Sequence, residues 1–86
     1  MKLYVISGLG ADKTVFENIV FPEKFSEMIF IDWLIPETEE TFEHFVKRMA
    51  KPIDEKEKFC LLGYSFGGIM VQEINKLKPA EKIVIL

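Results

Sequence analysis

The sequence predicts an α/β fold in which three helices cover a four-stranded parallel sheet. Short apolar runs recur at 3–6, 28–31, 59–62 and 83–86, and the segments between them have the spacing of amphipathic helices. Runs without polar alternation are typical of parallel strands that are buried on both faces. The alternation of such strands with helices predicts three layers and the strand order 2-1-3-4.

Two helices are expected before the third strand. Asp12 is a candidate N-cap for the first helix, and Pro22 ends it. Thr38 is a candidate N-cap for the second helix, which places Glu39 and Glu40 in a first turn where the helix dipole favours negative charge. The apolar stripe expected along the second helix is Phe42, Phe45, Val46 and Met49.

A third helix follows the third strand. It is expected to begin near Phe66 and to stop before Pro79, which cannot continue a helix. Its expected buried residues are Phe66, Ile69, Met70, Ile74 and Leu77. With the fourth strand, these elements make a single domain over residues 1–86.

Charge and cysteine content exclude several classes of protein. The net charge is −3 with both signs interspersed, so no basic surface favours a nucleic-acid partner. Cys60 is the single cysteine and has no His or Cys at ligand spacing, so we expect no disulfide, metal or cofactor. The N-terminal apolar run is too short for a signal peptide, and no stretch reaches the roughly 20 apolar residues of a membrane span. A soluble, cytoplasmic protein with no membrane partner is expected.

One motif carries chemistry, the Gly-Tyr-Ser-Phe-Gly sequence at 63–67. It fits the Gly-x-Ser-x-Gly pattern in which a sharp strand-to-helix turn exposes a serine hydroxyl, here that of Ser65. Gly63 and Gly67 approach each other too closely in such a turn for side chains to fit. An apolar run precedes the motif and an amphipathic segment follows it, as the turn requires. The backbone N–H of Phe66, at the helix start, is suited to bind a developing oxyanion.

A second glycine-rich turn, Ser-Gly-Leu-Gly at 7–10, ends the first strand. It lacks the later glycine of a dinucleotide fingerprint and the Gly-Lys-Ser/Thr of a P-loop, so a phosphate loop and a plain turn both stay open. In the predicted strand order the first and third strands are adjacent, and ligands bind at such a switch point. The N–H of Leu9 or Gly10 is then a candidate second oxyanion donor.

These two turns resemble the N-terminal, nucleophile-bearing half of the α/β-hydrolase superfamily, whose members include esterases and lipases. The resemblance implies that Ser65 is the nucleophile and that the N–H groups of Phe66 and Leu9 form the oxyanion hole. Ser7 stands where many members carry a histidine in the oxyanion loop. The residues expected to line the substrate site are Gly8, Gly10 and Tyr64.

The catalytic acid and histidine of this superfamily follow the nucleophile along the chain. The sequence reaches Leu86 before either is expected, so a partial domain that is inactive alone is predicted. His44 lies upstream of Ser65 and is expected to be a solvent-exposed helix residue. Asp32 is expected to solvate a loop rather than act in catalysis, and Trp33 either forms an apolar substrate wall or packs in the core.

The expected function is hydrolysis of an ester, thioester or amide of a small molecule through an acyl-Ser65 intermediate. One alternative is a non-catalytic binding or assembly module that uses the apolar edge strand 83–86. The same edge is suited to pair with a second copy or with a complementing chain that supplies the acid and histidine. Another alternative is a nucleotide-binding module with a phosphate site at 8–12.

Overall fold

The computed structural model describes residues 1–8 and 25–86 of the chain. Its elements, in chain order, are β1 (Lys2–Ile6), β2 (Glu27–Phe30), α1 (Phe42–Ala50), β3 (Phe59–Gly63), α2 (Phe66–Leu77) and β4 (Lys82–Ile85). The described residues therefore contain two of the three predicted helices. The predicted helix after Asp12 lies outside them. No helix in this part of the chain is long and apolar enough to cross a bilayer.

The four strands form one parallel sheet with the order β2-β1-β3-β4, which confirms the predicted order. Each strand begins within one residue of its predicted position. Tyr4 of β1 pairs with Ile29 on one side and with Leu61 on the other. The two central strands are buried, but the outer strands expose Met28 and Ile85, so burial on both faces holds only for β1 and β3.

Both helices pack on the same face of the sheet. That face presents Tyr4 and Ile6 of β1 together with Leu61 of β3, and Met49 and Ile74 of the helices lie against them. The other face carries a separate buried cluster, Leu3, Val5, Cys60 and Leu62. The described residues thus make a sheet layer and one helix layer, and the predicted third layer falls outside them. Cys60 is a buried core residue, as expected.

The start of α1 differs from the prediction. Thr41, not Thr38, is the N-cap, and its hydroxyl accepts the His44 N–H at 3.1 Å. Glu40 lies before the helix because its N–H donates to the Glu37 carbonyl and its carboxylate accepts the Glu37 N–H, which closes a separate turn. Glu39 has a φ of 61° in this turn and cannot belong to a helix.

The buried face of α2 is also rotated from the prediction. Met70 and Ile74 are buried as expected, but Phe66, Ile69 and Leu77 are each about half exposed. The inner face is completed instead by Gly67, Gly68 and Val71. Apolar periodicity predicts that the helix face with the largest apolar side chains is buried. In α2 the close approach of two glycines to the sheet determines instead which face is buried.

Candidate active site

Ser65 lies on the turn between β3 and α2 in a backbone conformation that serine disfavours. Its φ of 58° and ψ of −123° fall in a region populated mainly by glycine and cost about 1–3 kcal/mol. Two hydrogen bonds hold the turn in place. The Tyr64 N–H donates to the Ile6 carbonyl at 3.0 Å, and the Ser65 N–H donates to the Leu86 carbonyl at 3.1 Å. The strain at Ser65 is therefore maintained by contacts with β1 and with the residue that follows β4.

The two glycines of the motif are required by contacts with backbone atoms. A Cβ on Gly63 would overlap the Gly67 carbonyl and lie 2.5 Å from the Gly68 Cα. A Cβ on Gly67 would overlap the Ile6 carbonyl oxygen and lie 2.7 Å from that of Ser7. Backbone atoms in a sheet cannot move aside as a flexible side chain can. The motif thus has the contacts that a sharp strand-to-helix turn with an exposed serine requires.

The N-terminus of α2 leaves one backbone donor beside Ser65. The Gly67 N–H donates to the Tyr64 carbonyl and the Gly68 N–H to the Ser65 carbonyl. The Phe66 N–H has no acceptor within the described part of the chain. At the first position of a 12-residue helix it also carries the positive end of the helix dipole. It can donate to an oxyanion that forms on an acyl group bonded to Ser65.

Gly8, just after β1, lies against Ser65. A Cβ on Gly8 would come within 3.1 Å of the Ser65 Cβ and 3.4 Å of its Oγ. The two glycine-rich turns therefore meet at the carboxyl edge of adjacent strands, where parallel sheets bind ligands. The other two residues named for this turn, Leu9 and Gly10, lie outside the described residues. Tyr64 is about two-fifths exposed beside Ser65.

The hydroxyl of Ser65 is exposed and makes no hydrogen bond to any described residue. His44 is exposed, as predicted, and its Nδ1 pairs with the Glu40 carboxylate rather than with Ser65. Asp32 is also exposed. Within residues 1–8 and 25–86, then, no side chain is hydrogen-bonded to the Ser65 hydroxyl to take its proton.

Glu40 is the centre of an ion-pair network at the start of α1, where its side chain is almost fully covered. Arg48 donates to both of its carboxylate oxygens, at 2.7 and 2.9 Å, and this pairing lowers the pKa of Glu40 from 4.5 to about 2. Arg48 also approaches the Glu37 carboxylate at 3.3 Å. The donor atoms of Glu37, Glu40 and His44 lie within 4.8 Å of one another, as a metal site requires. Arg48 already occupies the Glu40 oxygens, so the cluster is an ion-pair network.

Trp33 joins the two turns of the site to both helices. Its indole N–H donates to the Ser7 carbonyl at 2.8 Å, which ties the loop after β2 to the loop after β1. Its ring lies 5.6 Å from that of Phe66 and stacks at 6.5 Å on that of Phe45. The sequence predicted that Trp33 either forms an apolar substrate wall or packs in the core, without deciding between the two. No pattern in the sequence signals this hydrogen bond, since it joins residues 26 positions apart.

Comparisons of the chain with protein-family models, with curated proteins and with solved structures give no match. The features that bear on function are therefore the geometry of the turn at Ser65, its glycine contacts and the Phe66 N–H beside it.

Proposed function

We propose that this chain carries the nucleophile of a serine hydrolase of the α/β-hydrolase type, which cleaves an ester, thioester or amide through an acyl-Ser65 intermediate. The observation that supports this most is the strained φ of Ser65 between two glycines that admit no side chain. Proteins retain such strain where it serves a purpose, and here it leaves the hydroxyl exposed at the carboxyl edge of the sheet.

In the proposed reaction the Ser65 Oγ attacks the substrate carbonyl carbon while a base takes its proton. The carbonyl π electrons move onto oxygen, and the Phe66 N–H donates to that oxyanion. The tetrahedral intermediate then collapses and expels the alcohol, thiol or amine, which leaves with the proton from the base. Water hydrolyses the acyl-Ser65 ester by the same steps. The turn that contains Gly8 is proposed to supply the second donor, from the Leu9 N–H.

The base is not supplied by the described residues. His44 is the single histidine of the sequence, and it pairs with Glu40. A histidine and acid from outside residues 1–86, on the same polypeptide or on a complementing chain, are therefore part of the proposal. Without them a serine hydroxyl stays protonated at neutral pH and is a poor nucleophile. We expect residues 1–86 alone to lack esterase turnover.

The experiment that tests this proposal supplies the missing base as free imidazole. The 10.0-kDa chain is incubated with a fluorophosphonate, with and without imidazole, and the adduct is located by intact-mass and peptide mass spectrometry. We expect one adduct, on Ser65, that forms only with imidazole. Ser26→Ala, at another exposed serine, should leave the labelling unchanged, whereas Ser65→Ala should abolish it. No labelling with imidazole, or an equal adduct in the Ser65→Ala chain, would contradict the proposed nucleophile.

A second candidate function, an assembly module, is favoured by one observation at β4. This strand lies at the end of the sheet and pairs, among the described residues, with β3 alone. Ile85 and Leu86 at its end are each about half exposed. An apolar edge of this kind favours pairing with the same strand of a second copy.

A further inference from the structure

An apolar cavity opens beside the Ser65 turn, with Phe66 in its lining. Its volume is about 360 Å³, which is within the range of small-molecule sites. It lies between the loop after β2, the start of α1 and the first turns of α2. Its apolar lining includes Trp33, Leu34, Phe42, Phe45, Phe66 and Met70.

Phe66 connects this cavity to the proposed nucleophile. It is the residue directly after Ser65, so its N–H serves the proposed oxyanion hole while its side chain lines the cavity. A substrate whose carbonyl oxygen meets that N–H would therefore lie next to a residue of the cavity lining. Trp33 adjoins Phe66 in the lining, with ring centroids 5.6 Å apart, and it is held in place because its ring packs on Phe45 and its N–H is bonded to Ser7.

The polar and apolar residues of the lining indicate which substrate group the cavity can bind. Glu40 and Thr41 are the polar residues that line the cavity. The Glu40 carboxylate is bound by Arg48 on both oxygens, and the Thr41 hydroxyl is bound by the His44 N–H. The lining therefore presents no unpaired charge, and its one remaining polar contact is the O–H of Thr41. Leu34 and Phe42 are meanwhile about half exposed, an arrangement that a bound apolar group would cover.

We propose that this cavity binds the apolar acyl group of the substrate that Ser65 attacks. The preferred substrates are then esters or thioesters of medium-chain or aromatic acids rather than acetyl esters. This inference rests on the proposed function for its reaction, but the cavity itself can be tested without turnover.

Trp33 provides the test, because it is the single tryptophan of the sequence and it lines the cavity. The chain is titrated with octanamide, an uncharged analogue of an acyl substrate, and Trp33 fluorescence is measured. Acetamide is the matched ligand. Each buried methylene strengthens binding by roughly fourfold, so octanamide should saturate the signal at concentrations where acetamide produces no change.

Three variants locate the binding. Leu34→Asp and Phe42→Asp each place a charge in the lining and should weaken octanamide binding by at least about fivefold. Ile69→Asp is the matched control, since Ile69 is as exposed as Phe42 and lies outside the lining (52% and 53%). It should leave the affinity within about twofold of the original. Equal effects of all three variants, or no saturation by octanamide, would overturn the proposed cavity site.

A second measurement joins the cavity to Ser65. A Ser65→Cys chain is alkylated with N-octyl iodoacetamide and with iodoacetamide, and the native chain, whose Cys60 is buried, is the background. The octyl reagent should react at least about tenfold faster, because its tail binds beside the thiol. Leu34→Asp should remove that advantage. Equal rates would contradict an acyl site next to residue 65.

These outcomes separate the cavity from the reaction. Octanamide binding together with a chain that imidazole cannot activate would support the apolar site and contradict the nucleophile. Labelling of Ser65 together with equal binding of both amides would support the nucleophile and overturn the cavity site.

Discussion

Ser65 shows how single residues set up this site. This non-glycine residue keeps a φ of 58° because the turn is held on two sides. The Tyr64 and Ser65 N–H groups donate to the carbonyls of Ile6 and Leu86, and Gly67 packs against β1. The Gly-x-Ser-x-Gly pattern predicted this turn because its glycines have a steric cause that does not depend on the rest of the fold. The contact of Gly8 with Ser65 needs β1 and β3 to be adjacent, so it agrees with the predicted strand order, in which the two glycine-rich turns meet, and does not follow from the Gly-x-Ser-x-Gly pattern alone.

The glycine contacts predict a large difference between two alanine substitutions. In Gly67→Ala the new Cβ overlaps the Ile6 carbonyl oxygen, which cannot move without breaking the sheet, so we expect a loss of about 3 kcal/mol or more in the free energy of unfolding. In Gly8→Ala the Cβ meets the Ser65 side chain at 3.1 Å, so the loss should be about 1 kcal/mol. Urea denaturation followed by circular dichroism measures both values. Equal losses would show that Gly67 is not held against β1.

The two helices differ in how well their sequences predict them. α2 begins and ends where the elbow motif and Pro79 indicate, because both signals are local. The N-cap of α1 lies three residues after the predicted cap, since Thr38 and Thr41 are both suitable cap residues and only the Glu37–Glu40 turn decides between them. That turn is stabilised by Arg48, two turns along the helix.

The Glu40–Arg48 pair predicts a defined acid dependence of stability. The folded-state pKa of Glu40 is lowered from 4.5 to about 2, so its contribution is fully present above pH 4.5 and is lost as the pH falls to about 2. The free energy of unfolding, from urea titrations between pH 5 and pH 2, should therefore fall more steeply for the native chain than for Glu40→Gln. Glu55→Gln, at an exposed carboxyl in the turn before β3, should keep the native slope. Identical slopes for the native chain and Glu40→Gln would contradict the pairing.

At the scale of the molecule, the sheet ends in two different edges. β2 leaves Met28 exposed at one side, and β4 leaves Ile85 and Leu86 exposed at the other. The Ser65 N–H is bonded to the Leu86 carbonyl, so the segment that completes the β4 edge also holds the proposed nucleophile turn. A strand that pairs with β4 would therefore lie next to the segment that holds the Ser65 turn in place.

The β4 edge predicts self-association that a single charge should suppress. We expect the sedimentation coefficient of the chain to rise with protein concentration as β4 edges pair, and Ile85→Lys to remove that rise because an edge lysine opposes strand pairing. Leu77→Lys, at an exposed apolar residue on α2, is the matched control and should associate like the native chain. A sedimentation coefficient independent of concentration in the native chain would count against the assembly function.

The sequence by itself determined the strands, their parallel order and the turn at Ser65, because apolar runs, glycine spacing and prolines act over a few neighbouring residues. Only the tertiary structure decided the rotation of α2, the cap of α1 and the position of Trp33 between the two helices. Each of these depends on contacts between residues far apart in the chain, such as the Trp33 bond to Ser7 and the approach of Gly67 to β1. Packing of whole elements selects among local alternatives that the sequence leaves nearly equal in free energy.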